Sequence, residues 1–213
     1  MDIFQAIKRG DVAAVDRLLA SGVPIETRSP YGKSLPMLAV DAGSPAVLEL
    51  LIEQGADLRV TSEYGLTALI EALRWADEPC VDILLAAGLD LGEVHFRGGT
   101  ALHAAVSGYR ERAPGARIRL VERCLAAGID PCDGPSLLQD AVRWDDPELM
   151  ERLLRAGCPV DIKNDRGDTP LAEAVRDGRV SAVRCLLNAG AARRHPGVMK
   201  TLSTLRRKYK HVS

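Results

Sequence analysis

Leucine-rich pairs recur along the chain, and each runs into a glycine: Leu18-Leu19 before Gly22, Leu51-Ile52 before Gly55, Leu84-Leu85 before Gly88, Cys124-Leu125 before Gly128, Leu153-Leu154 before Gly157 and Leu186-Leu187 before Gly190. A second series of glycines, Gly32, Gly65, Gly98, Gly134 and Gly167, alternates with the first; by subtraction its spacings are 33, 33, 36 and 33 residues. Each member of that series is followed by a hydroxyl residue and an apolar run: Ser34 to Ala39, Thr67 to Ala72, Thr100 to Ala105, Ser136 to Ala141 and Thr169 to Ala174. Each run reads as a helix start. The hydroxyl oxygen accepts from amides that the first turn leaves unpaired, and Pro170 suits the first helical position, where its missing N–H costs nothing. A second helix in each unit ends at the leucine pair, with Gly55, Gly88, Gly157 and Gly190 expected in the left-handed conformation that closes a helix.

From these residues the sequence resembles the ankyrin-repeat family, whose motif Gly-x-Thr-Pro-Leu-His-x-Ala is matched best by Gly98 to Ala105 and by Gly167 to Ala174. Five copies in register at this period make the resemblance specific, and it covers nearly the whole chain. It implies an all-α solenoid of about six helix-turn-helix repeats with short β-turn fingers. The repeats fall at approximately 1–31, 32–64, 65–97, 98–133, 134–166 and 167–194, in one domain spanning 1–213, with a capping helix at approximately 196–210. Asp2 to Arg9 aligns as a first helix without its finger, since Ala6 stands sixteen residues before Gly22 as Ala39 stands before Gly55. Val198, Leu202 and Leu205 give the capping helix one apolar side. Shielded ends are what a finite stack needs for solubility.

Composition agrees. A hydrophobic content of 46% and a formal charge of -1 are ordinary for a soluble protein, whereas 4% aromatics is low for a globular core and suits stacked Leu, Val and Ala. No run of about 18 apolar residues marks a membrane span, and the first residues lack the apolar core of a secretory signal. Five cysteines, without a Cys-x-x-Cys pair, argue against a disulfide framework and for a reducing, cytoplasmic setting. Cys80, Cys124 and Cys185 occupy apolar positions of second helices, where a thiol acts as a small hydrophobe.

The residues give no reason to expect catalysis, a cofactor or a metal. His95, His103, His195 and His211 lack zinc-ligand spacing. His103 lies in the family motif, where the resemblance implies bonding between repeats and fingers. The carboxylate pairs Asp77-Glu78 and Asp145-Asp146 begin links between helices, where acids cap the next helix. No Ser or Cys has an identifiable base, and the Gly98-Gly99 turn lacks the lysine of a phosphate loop. A hydrolytic enzyme would have the Asp145-Asp146 region as its least poor site.

Function is therefore sought where the scaffold tolerates any residue, which the resemblance places at the finger tips and at the last two residues of each first helix. The helix-end pairs are Asp41-Ala42, Arg74-Trp75, Ser107-Gly108, Arg143-Trp144 and Arg176-Asp177, and the fingers add Tyr31, Lys33, Glu63, Tyr64, Phe96, Arg97 and Arg166. Of the eight aromatic residues, five (Tyr31, Tyr64, Trp75, Phe96 and Trp144) fall on these sites, a bias that packing does not readily explain. Trp, Tyr and Arg dominate binding hot spots, at about 2 kcal/mol or more each. Partner-binding residues are accordingly expected to be Tyr31, Lys33, Glu63, Tyr64, Arg74, Trp75, Phe96, Arg97, Arg143, Trp144, Arg166 and Arg176, on a concave surface centred on repeats three to five. Charge on this face is mixed. A nucleic-acid partner, which would call for a stripe of one sign, rests only on the tail Arg193-Arg194 and Arg206 to Lys210 and on the fourth-repeat loop. The expectation is a monomeric module that binds another protein and takes no small-molecule substrate, with an inhibitor or immunity role as its subclass.

One unit is irregular. Gly98 to Gly128 spans 30 residues against 23 from Gly65 to Gly88, which places seven inserted residues within Gly108 to Arg117 as a basic link between helices. Gly128 to Gly134 spans six against ten from Gly55 to Gly65, so the finger at Ile129 to Asp133 is shortened, leaving a gap suited to a protruding partner segment.

Overall fold

The computed structural model describes residues 1–108, 113, 115–133 and 136–191. The expected capping helix over 196–210, the basic tail, Gly134, and the Tyr109 to Arg112 and Pro114 part of the inserted link lie outside these residues. Among the described residues the protein has twelve α-helices and one 3₁₀ turn, with only isolated β-bridges, Arg28 to Ser34 and Phe96 to Gly99, in the fingers. None of these helices is long and apolar enough to cross a membrane. The chain folds as two compact units, Met1–Ile129 and Asp130–Ser213.

In the first unit the first helices α1 (Ile3–Lys8), α3 (Leu35–Ala42), α5 (Ala68–Arg74) and α7 (Ala101–Val106) pack side by side. Each packs on its own second helix, α2 (Val12–Ala20), α4 (Pro45–Glu53), α6 (Glu78–Ala86) or α8 (Ala116–Ala126). Leu35, Leu48, Leu51, Leu73, Leu84 and Leu102 are fully buried between these rows, each contributing about 1.5–3 kcal/mol of hydrophobic stabilisation. Arg119 and Arg123 of α8 reach Glu78 and Asp82 of α6 at 2.6 Å, but these pairs are exposed and add little. In the second unit α9 (Leu137–Trp144) lies beside α11 (Pro170–Arg176), and α10 (Pro147–Arg155) beside α12 (Val180–Asn188), over Leu138, Leu149, Leu153 and Leu186.

Most of the expected caps form. Thr67, Ser136 and Thr169 accept from the amides of Ile70, Gln139 and Ala172 at 3.2–3.4 Å, and Asp77 and Asp146 accept from those of Cys80 and Leu149. Ser34 is the exception: it stands at the N-cap of α3 but its hydroxyl makes no cap bond, and Pro36 in the first turn leaves one amide fewer to satisfy. Gly55, Gly88, Gly157 and Gly190 adopt φ of 84°, 90°, 102° and 88°. Asp145 differs. At φ 50° it takes the left-handed position that Gly43 takes between α3 and α4, and its carboxylate accepts from the Ala182 amide of α12 at 3.0 Å. Because α12 begins after Arg179, which offers no capping oxygen, the preceding repeat supplies the cap.

At the start of α7, His103 Nδ1 accepts from the Thr100 amide at 3.1 Å, completing a capping box. One residue departs from its expected role. Arg117, counted in the basic link, is buried in the first turn of α8 and donates to the carbonyl oxygens of Ala105 and Val106 at 2.7 and 3.0 Å. Those carbonyls end α7, where a helix terminus carries partial negative charge and attracts a cation. Gly108 follows, pressed so closely against the end of α5 that a Cβ there would lie 2.2 Å from the Arg74 carbonyl oxygen.

Gly108→Ala should therefore destabilise the protein by roughly 1–3 kcal/mol through forced separation of α5 from α7. Asp145→Ala should lose about 1–2 kcal/mol by removing the α12 cap. Both are read from thermal unfolding, and wild-type melting in either variant would contradict the contact it tests.

Candidate functional site

The helix ends and fingers of the first unit are joined by a continuous polar network. Lys33 Nζ lies 2.5 Å from Asp41 Oδ2 and 2.8 Å from Oε1 of Glu71, whose carboxylate is fully buried in α5. Asp41 also accepts from the Trp75 indole N–H at 3.2 Å. On the other side of the network, Arg74 approaches Glu71 Oε2 at 3.7 Å and places its guanidinium 5.2 Å from the centre of the Phe96 ring, which Arg97 also approaches at 5.5 Å. Burial alone would lower the pKa of Lys33, but the hydrogen bonds and negative charges of Asp41 and Glu71 outweigh it and raise the ammonium above its ordinary 10.5. The stabilisation from this shift is present throughout the range below the ordinary lysine pKa and is lost only as pH climbs through the raised value.

The second unit repeats the device. Glu173, buried in α11, sits between Arg143 of α9, whose Nε is 3.3 Å away, and Arg176, at 4.0 Å. Arg143 also pairs with Asp140 at 2.7 Å, and Arg176 with Asp168 at 2.5 Å and Asp177 at 3.2 Å. Gln139 donates to the Asp168 carbonyl at 2.8 Å, tying the finger to α9. Part of the mixed charge read from the sequence is thus paired within each unit, Lys33 with Asp41 and Arg176 with Asp168 and Asp177.

The structure separates the twelve sequence-derived site residues into two groups. Arg74 and Phe96 are buried, and Lys33 and Trp75 are half-buried, so these four lie within the packed frame. The aromatic bias that suggested exposure at Phe96 and Trp75 has a packing cause in each case, the Arg74 guanidinium for one and the Asp41 carboxylate for the other. Arg143 and Arg176 keep about half of their side chains exposed while held by carboxylates. Glu63, Arg97 and Arg166 are exposed at finger tips. Tyr31 (63% exposed), Tyr64 (69%) and Trp144 (47%) stand out furthest; with Met1, they are the large hydrophobic side chains left exposed among the described residues. Beside Tyr31 runs a groove of about 500 Å³ lined by Phe4, Lys8, Pro30, Leu38, Asp41 and Ala42, among others.

Sequence reasoning missed Glu71 and Glu173, the acids that organise both networks. Their signal was present: an acidic residue inside an apolar first helix with arginine three residues on, as in Glu71/Arg74, Glu173/Arg176 and the related Asp140/Arg143. Among the described residues no cluster of His, Cys, Asp and Glu is arranged to hold a metal ion. The shortened finger turns at Asp130, whose carboxylate accepts from the Cys132 amide at 2.8 Å.

Known proteins share both the pattern and the fold. A family model for ankyrin repeats in three copies matches residues 3–95 and 37–131, and one for the single ankyrin repeat matches 166–197. The human ASB11 ankyrin repeat domain is 25% identical with a TM-score of 0.73, covering 92% of this chain and 86% of that one. The ankyrin repeat domain of Bcl-3, described as a unique member of the IkappaB protein family, is 26% identical with a TM-score of 0.66, covering 95% and 98%. A structure of the Bd0816 predatory endopeptidase from Bdellovibrio bacteriovorus in complex with immunity protein Bd3460 matches at 19% identity and a TM-score of 0.70, covering 87% and 96%, a likeness of fold. NF-kappa-B inhibitor alpha of Gallus gallus is 44% identical over 46 residues, which span 22% of this chain and 14% of that protein. With family models covering more than half of its residues, the chain belongs to the ankyrin-repeat family, whose repeats mediate protein–protein interaction.

Proposed function

We propose that the protein is a non-catalytic binding module that captures a partner protein on the finger and first-helix faces of its two units and, by covering the partner's surface, inhibits or sequesters it. The observation that carries this reading is the exposure of Tyr31, Tyr64 and Trp144. Large aromatic side chains in water are costly, and residues of this kind dominate binding hot spots. All three stand at finger or helix-end positions, outside the surfaces that the repeats use to stack. Glu63, Arg97 and Arg166 supply an exposed polar rim, while Arg143 and Arg176 are held in place by Glu173.

The blocking role draws on two relatives: NF-kappa-B inhibitor alpha, by its name, and Bcl-3, by its described family. The mechanism is steric. A face whose cations are already fixed by buried carboxylates loses little side-chain freedom on docking, and a stable complex needs about 800 Å² buried per partner.

The two groups of residues should respond differently to substitution. In affinity capture from extracts of the source cells, Tyr64→Ala combined with Trp144→Ala should lose the partner retained by the wild type, with melting unchanged. Retained capture, or a large fall in melting temperature, would contradict the assignment. Glu71→Leu should instead lower stability by about 2 kcal/mol or more, because Lys33 and Arg74 lose their shared carboxylate. Unfolding in urea measures this, and an unchanged midpoint would remove Glu71 from the frame.

A further inference from the structure

We propose that Cys132 and Cys158 form an oxidant-responsive dithiol that closes to a disulfide between the shortened finger and the turn after α10, in the second unit. The two sulfurs are placed reciprocally. Cys132 Sγ lies 3.6 Å from the carbonyl oxygen of Gly157, and Cys158 Sγ lies 3.8 Å from that of Pro131. Gly157 and Pro131 immediately precede Cys158 and Cys132, so each thiol touches the peptide unit that leads into the other cysteine. A carbonyl oxygen sits about 3 Å from the next Cα, so each sulfur lies within about 7 Å of the opposite Cα, and closure requires the two side chains to turn toward each other. Both residues line the same small cavity, of about 10 Å³, with Pro131, Leu138 and Pro159. Prolines at 131 and 159 stiffen both segments, and the Asp130 carboxylate holds the Cys132 amide at 2.8 Å.

The two thiols differ in access as such a pair requires. Cys132 is exposed, whereas Cys158 is buried. Burial, with Cys132 and Asp130 nearby, pushes the Cys158 thiol up to about 12, which leaves the opening step to Cys132. The Cys132 thiol is raised as well, so the pair needs an oxidant in excess.

With glutathione disulfide as oxidant, the Cys132 thiolate attacks one glutathione sulfur, forming a mixed disulfide and releasing one glutathione thiolate. The Cys158 thiolate then attacks Cys132 Sγ and expels the second. Two protein thiols give up two electrons and two protons, and one glutathione disulfide becomes two thiols. By contrast, Cys80 and Cys124 are fully buried within α6 and α8. The bond closes a loop of 26 residues and ties the shortened finger to the turn after α10, both in the second unit.

The test treats the native full-length chain with excess glutathione disulfide, blocks free thiols with iodoacetamide and maps peptides under non-reducing conditions. The expected product is a monomer carrying one linked peptide pair, Cys132 to Cys158, that melts several degrees higher than the reduced protein and returns to it with dithiothreitol. Cys132→Ser should abolish the bond, and Cys158→Ser should leave glutathione trapped on Cys132. A wild-type protein that stops at glutathionylated Cys132, links only between chains, or forms the pair only in denaturant would overturn the proposal.

Discussion

A repeat of two short helices cannot bury its apolar stripe alone, and nearly everything else about this protein follows from that constraint. Leu35, Leu51, Leu73, Leu84 and Leu102 in the first unit, and Leu138, Leu149 and Leu186 in the second, are buried only because neighbouring repeats cover them. Stacking commits the sides of each helix pair and, with them, Arg74, Trp75 and Phe96, while other finger and helix-end positions stay exposed. In the proposed function the exposed aromatic side chains at such positions, Tyr31, Tyr64 and Trp144, are the ones that meet a partner.

Beneath these positions each unit has a buried carboxylate held by cations from two successive repeats. Removing Glu71 or Glu173 from water is unfavourable unless Lys33 and Arg74, or Arg143 and Arg176, compensate for the lost hydration. The compensation has a geometric consequence: the cations are fixed relative to the fingers before any partner arrives. Phe96 extends the order of the first unit by placing its ring beside both Arg74 and Arg97. A polar face arranged in this way favours specificity over adhesion, since a partner must match charges that are already positioned.

The architecture was legible because its signals are local and periodic. Hydroxyl caps at Thr67 and Thr169, closing glycines such as Gly157 and acidic starts at Asp77 and Asp146 each act within a few residues of where they are read. For the candidate site, the variable positions were legible but the orientation of their side chains was not. Arg74 and Arg166 both occupy variable positions, yet one turns inward onto a phenylalanine while the other stays at an exposed finger tip. That choice depends on a partner distant in sequence, Phe96 for Arg74, which spacing does not reveal. Arg117 shows the same limit, since its basic character pointed to a solvent-exposed link whereas its donors serve the carbonyls ending α7. Asp145 was read as a cap for the helix that follows it, but its carboxylate serves a helix of the next repeat, 37 residues on.

Hydroxyl-radical footprinting of the protein alone and in complex with its captured partner tests the central claim most directly. Tyr31, Tyr64 and Trp144 should lose reactivity on binding, while Leu18 and Ile52 on the second helices α2 and α4 keep theirs. Protection confined to the second helices, with the three aromatic residues unchanged, would contradict recognition through the finger and first-helix faces.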